Sequence, residues 1–250
     1  MMYLSKKAKG FPLFAAGLGI ATVALRYGLY TTGVDEKNLL VPGNVLSVLV
    51  WASVLATGLV IAWGCVQGCR WMWENYSEKP STRGALGAVA LSAAIGYTVY
   101  VQGMPFQTVE KLSQIVGLLC VPCLLVSAYC RLKGVRPFFV CHGCVCVYFC
   151  VHLVKCYGIW SANPQFQDYV FSMLACACLA LFAYQQTAMD TDMGEGMLQY
   201  TLGLLAGYLG IAALYGAQYP WLYLAGSIWA LTNLTRPAVA PWYRRAKENV

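Results

Sequence analysis

The residues best suited to chemistry crowd into CHGCVCVYFCVHLVKC, positions 141–156, which sets five cysteines, two histidines and a lysine in an otherwise apolar stretch. Thiolates are soft, oxidisable ligands, and both Cys120-Val-Pro-Cys123 and Cys141-His-Gly-Cys144 carry the C-x-x-C spacing that recurs in thiol redox and metal sites. With Cys176 and Cys178, these four define one reading: a membrane-embedded cluster for thiol or quinone redox chemistry. The plainer reading is helix packing, because cysteine is small, polarizable and among the most buried residue types. Packing is favoured. A zinc site needs four convergent ligands with orienting partners, and the sequence places no carboxylate at the depth of these cysteines. His142 and His152 lie about 15 Å apart along a helix axis and cannot share a metal, and the chain has only these two histidines. No metal and no cofactor is expected.

At about 100° per residue, Cys141, Cys144, Tyr148, His152 and Lys155 share one face of that helix. The face is more polar than the neighbouring surface of Phe138, Val145 and Phe149, so it is expected to point into a bundle, where ionisable groups in membranes are found. Near its end, Arg26, His152 and Lys155 would form a cationic vestibule rimmed by Tyr27, Tyr97, Tyr100, Tyr157 and Trp160. Arg26, His152 and Lys155 would contact an anionic or aromatic small molecule, with Tyr157 or Trp160 stacking on it. The ordinary alternative is snorkelling: Arg26 and Lys155 lie near the interface, and Tyr and Trp form the usual belt there.

The elements that hold these residues are membrane spans. Only 11% of the chain is charged and 59% is apolar, against about a quarter charged in soluble domains. Apolar runs long enough to cross roughly 30 Å of hydrocarbon recur throughout. Eight spans are expected, at 11–30, 44–66, 84–102, 112–130, 137–157, 169–188, 197–217 and 220–234, forming one all-α membrane domain with no soluble module. The basic start KKAKG leads into a first span too long for a signal-peptide core. With the N-terminus inside, thirteen of the seventeen Lys and Arg residues fall on the inner face, which places both termini in the cytoplasm. The net charge of +7 follows from that bias and does not call for nucleic acid as a partner.

The spans pair into four helical hairpins with their turns on the outer face. YVQGMPF (100–106) and YGAQYPW (215–221) both set Tyr, then Pro five residues on, then an aromatic. That pattern fits a weak duplication, and it also fits the ordinary gathering of Pro, Gly and aromatics at membrane boundaries. Small residues at spacings of three and four, as in GALGAVALSAAIG and GLLAGYLGIAALYG, let helix backbones approach in lipid. They support a compact bundle and equally a homodimer or a membrane partner subunit.

Catalytic motifs are missing. No acidic residue falls at the midplane of a span, where proton-coupled carriers often place one. The sequence has no H-E-x-x-H, no P-loop and no serine motif with an evident base. TAMDTDMGEG (187–196) reads as a solvated acidic turn. No catalytic residue is assigned, and the balance leans away from an enzyme.

The segment WSANPQFQDYVFSMLACACLALFAYQQTA (160–188) resembles an element of a group of uncharacterised multi-pass membrane proteins from anaerobic Gram-positive bacteria. The resemblance implies a bacterial plasma membrane and carries no activity or site residues. The function expected from the sequence is that of an integral membrane protein binding a small molecule in an outward pocket, as transporter, transport-system subunit or sensor. The alternatives are the thiol or quinone redox protein and a structural subunit without a ligand.

Overall fold

The computed structural model describes residues 10–33, 44–72, 81–103, 108–160, 166–191 and 193–234, with 66–72, 159–160 and 166–168 described by backbone alone. The N-terminal basic run, residues 161–165 of the WSANPQF turn, and the Trp160 side chain lie outside this set. Eight helices follow in order: α1 (Phe11–Thr32), α2 (Val45–Met72), α3 (Thr82–Val101), α4 (Thr108–Lys133), α5 (Phe139–Trp160), α6 (Phe166–Asp190), α7 (Gly196–Ala212) and α8 (Pro220–Leu234). No strand occurs among the described residues. Six of the helices are long and apolar enough to cross a membrane, and the chain is a membrane-spanning α-helical protein.

Each successive pair packs as a hairpin, as the sequence implies. The last turns of α1, α3, α5 and α7 and the first turns of α2, α4, α6 and α8 share one end of the bundle, the hairpin end. The opposite ends of these helices share the other, the crossover end. Packing between hairpins adds a feature that hydropathy does not carry. Helices α3 to α8 close a ring, because α8 returns to pack on α3, and the α1–α2 hairpin docks outside it against α7.

Residue size explains the ring's tight seams. On α7, Gly203, Gly207 and Gly210 face α8, and a Cβ on Gly210 would stand 2.9 Å from the Tyr223 carbonyl oxygen. Only glycine admits that approach. At 17 and 15 residues, α7 and α8 reach only about 25 and 22 Å. Both are lined with buried residues on most sides. The seventh span was expected to reach residue 217, but α7 stops at Ala212. Gly216 takes φ 83° in the turn that follows, and Pro220 begins α8 with its φ preset for a helix.

The outer surface is apolar, with Leu13, Phe14, Val48, Leu55, Leu59, Leu118 and Val126 exposed. A soluble protein would not leave so large an apolar surface uncovered. Lipid is its natural solvent.

Candidate functional site

Arg26 lies six residues before the end of α1 and is 2% exposed. Its Nη1 donates to the Ala212 carbonyl at 2.7 Å. Ala212 is the last residue of α7, and carbonyls there lack an intrahelical partner and carry the negative end of the helix dipole. The guanidinium also lies 4.5 Å from the Phe171 ring centroid and 5.8 Å from that of Tyr215. A helix end and two aromatic faces thus hold the cation in place. Beside it opens a cavity of about 250 Å³ at the hairpin end, lined by Arg26, Tyr30, Tyr169, Tyr215 and Gly216. Tyr215 stacks on Tyr30 with centroids 5.3 Å apart, so one wall is a paired aromatic surface.

His152 and Lys155 stand in different surroundings. His152 is fully buried and packs among Tyr148, Tyr219 and Tyr223, with ring centroids 5.9, 5.8 and 6.4 Å away. Its Nε2 lies 3.5 Å from the Cys156 sulfur, one turn along the same helix. The Lys155 Nζ lies 5.7 Å from the Tyr219 ring centroid. His152 Nδ1, Tyr148 Oη, Tyr223 Oη and Ser172 Oγ are all buried without a hydrogen-bond partner among the described residues. Tyr219, in the α7–α8 turn, has its phenol pushed up by burial, with Cys156 and Glu110 adding to the shift. It therefore remains a neutral donor.

The expected vestibule is thus divided between two environments. Arg26 joins α1 to α6 and α7, whereas His152 and Lys155 face Tyr219 and α8 within the ring. Tyr157, like Tyr27, Tyr97 and Tyr100, is exposed at the hairpin end. Tyr215 and Tyr169 line the Arg26 cavity, but the sequence marks Tyr215 only as the start of the YGAQYPW turn and Tyr169 only as the start of the sixth span, since nothing in their spacing links them to Arg26.

The cysteines divide similarly. The Cys123 side chain interacts with those of Cys141 and Cys144, and Cys120 lies close to Cys144, joining the two C-x-x-C pairs across the α4–α5 seam. Cys176 donates to the Phe149 carbonyl at 3.2 Å in a buried α5–α6 contact. Cys178 stands half-buried on α6. Among the described residues no group of His, Cys, Asp or Glu has metal-site geometry.

The crossover end holds an arrangement that the sequence does not announce. Asp190, expected in a solvated turn, is the last residue of α6, and its side chain is only 8% exposed. Its Oδ2 lies 2.6 Å from His142 Nδ1, and His142 Nε2 lies 3.0 Å from Ser127 Oγ. A carboxylate therefore does stand beside the cysteine stretch. It was missed because α6 runs two residues past the expected span and points Asp190 back at α5. The depths were readable all the same: Ser127 lies six residues before the end of α4, and His142 three after the start of α5.

No family model, curated protein or solved structure matches the chain.

Proposed function

We propose that this membrane protein binds a small organic anion with an aromatic or apolar body in the Arg26 cavity, as a transporter, a transport-system subunit or a sensor. One observation carries the reading: a guanidinium held in a nearly water-free setting on the wall of a tyrosine-lined cavity. An intramembrane ionisable group marks a functional site by default. A planar fork of N–H donors matches a carboxylate or phosphate, and tyrosine faces accept a ring. A cavity of about 250 Å³ falls at the small end of ligand pockets, which points to a metabolite of single-ring size. In this reading the membrane is the bacterial plasma membrane and both termini are cytoplasmic, as the bias of basic residues suggests. The cavity then opens outward.

Thermal unfolding of the purified protein against benzoate, phenylacetate, phenyl phosphate and their neutral amides tests the proposal. Ligands that bind only the folded state raise its midpoint with concentration. The acids should raise it and the amides should not, and Arg26→Met should erase the difference. If no acid shifts the wild type, the reading fails.

A further inference from the structure

Ser127, His142 and Asp190 come from three helices and form one hydrogen-bonded chain, with 3.0 Å from serine oxygen to imidazole and 2.6 Å from imidazole to carboxylate. In that order a carboxylate fixes the imidazole tautomer through Nδ1 and leaves Nε2 to accept the serine proton. The constellation is recognised by geometry and roles rather than by sequence position. A second, independent feature adjoins it. The Trp229 ring lies 6.1 Å from His142 between centroids, is fully buried, and its Nε1 has no hydrogen-bond acceptor among the described residues. Indole N–H is donor-only, so an orphaned one is a group in want of an anion or a carbonyl.

We propose that Ser127 is a nucleophile activated by His142 and Asp190, acting on the acyl ester of an amphiphile within the membrane, with Trp229 Nε1–H as donor to the developing oxyanion. The packing nearby is apolar and suits an acyl chain: Leu124 lies one turn before Ser127 on α4, and Trp229, beside His142, meets Phe182 edge-on. The depth favours an amphiphile: Ser127 lies about 9 Å from the end of α4, within reach of the ester region of a lipid leaflet. All three side chains of the chain are sealed in this conformation. Entry requires a seam between adjacent helices of the ring to part.

The chemistry balances without a further reactant besides water. The Ser127 hydroxyl proton passes to His142 Nε2 as Oγ bonds to the acyl carbon. The ester C–O bond then breaks, and the leaving alcohol takes that proton. Water, deprotonated in turn by His142, attacks the acyl-serine; the acyl carbon–Oγ bond breaks, Ser127 Oγ takes the proton back from His142, and the carboxylic acid leaves. This activity stands apart from anion binding at the hairpin end, and either can fail without the other.

An alkyl fluorophosphonate is the test, applied to the full-length protein in native membranes. The Ser127 Oγ–P bond forms, fluoride leaves and His142 takes the proton. Peptide mass mapping should find the phosphonyl group on Ser127. Ser127→Ala should lose the label, and Asp190→Asn, which keeps shape and hydrogen bonding, should slow labelling by roughly 10⁴-fold. A merely structural chain behaves otherwise: both variants would lower the unfolding midpoint while the wild type took no label at Ser127. That outcome overturns the proposal, as does labelling of Asp190→Asn at the wild-type rate.

Discussion

Replacing Arg26 separates its part in the fold from its part in binding. The guanidinium makes a charge-assisted hydrogen bond of 2.7 Å to the end of α7, and such bonds contribute about 1.5–3 kcal/mol. Against this stands the desolvation of a cation that is 2% exposed, an effective penalty of several kcal/mol. Arg26→Met removes the guanidinium with all its contacts, those to Phe171 and Tyr215 included, together with its desolvation cost, and keeps the apolar stem of the side chain. Its net effect should fall within about 1 kcal/mol of wild type, since apolar groups of similar volume often replace buried ions at little loss. Arg26→Ala also leaves a void beside Phe171 and should be less stable than the Met variant by about 2–3 kcal/mol, in the range for large-to-small core changes. Unfolding in mild detergent, followed by tryptophan fluorescence, orders the three proteins. The expected order is wild type close to Met, with Ala well below. If Met proves as damaging as Ala, capping of α7 dominates, the guanidinium is there for the fold, and the argument for a ligand loses its basis.

Other consequences follow from the packing. Gly210→Ala drives a Cβ to 2.9 Å from the Tyr223 carbonyl oxygen and should destabilise by about 1–3 kcal/mol, visible as a lower midpoint; an unchanged midpoint would mean that the α7–α8 seam is looser than described. Mild oxidation with copper phenanthroline should join Cys123 to Cys141 or Cys144, which it touches, and should not join Cys123 to Cys178. Peptide mass mapping of the oxidised protein decides this. Tyr148→Phe removes a buried hydroxyl that has no partner among the described residues and should leave stability unchanged or raise it by up to about 1 kcal/mol. A loss above 1 kcal/mol would reveal a water or ligand bound to that hydroxyl.

The spans were legible because lipid imposes a length and an apolar composition on each of them. The bounds of α8 coincide with the expected 220–234, and α7 was overextended because Leu214, Tyr215 and Ala217 in the turn are as apolar as the helix before them. The outward-facing leucines of α2 and the small-residue seam of α7 likewise follow from composition. Neighbour relations between hairpins did not, since helices of equal hydropathy are interchangeable in a one-dimensional pattern. The return of α8 to α3 and the docking of α1 on α7 depend on shape. For that reason Arg26 was expected opposite His152, whereas it reaches Phe171 and Ala212. The Ser127, His142 and Asp190 chain was hidden for a related reason, because each residue belongs to a different helix and no local spacing joins them.

Native mass spectrometry of the protein purified in mild detergent tests the central claim most directly. The wild type should carry one small organic anion of single-ring size in stoichiometric amount, and Arg26→Met, folded and equally stable, should fly without it. The same adduct on both proteins, or a bare mass for the wild type, would contradict an anion site at Arg26.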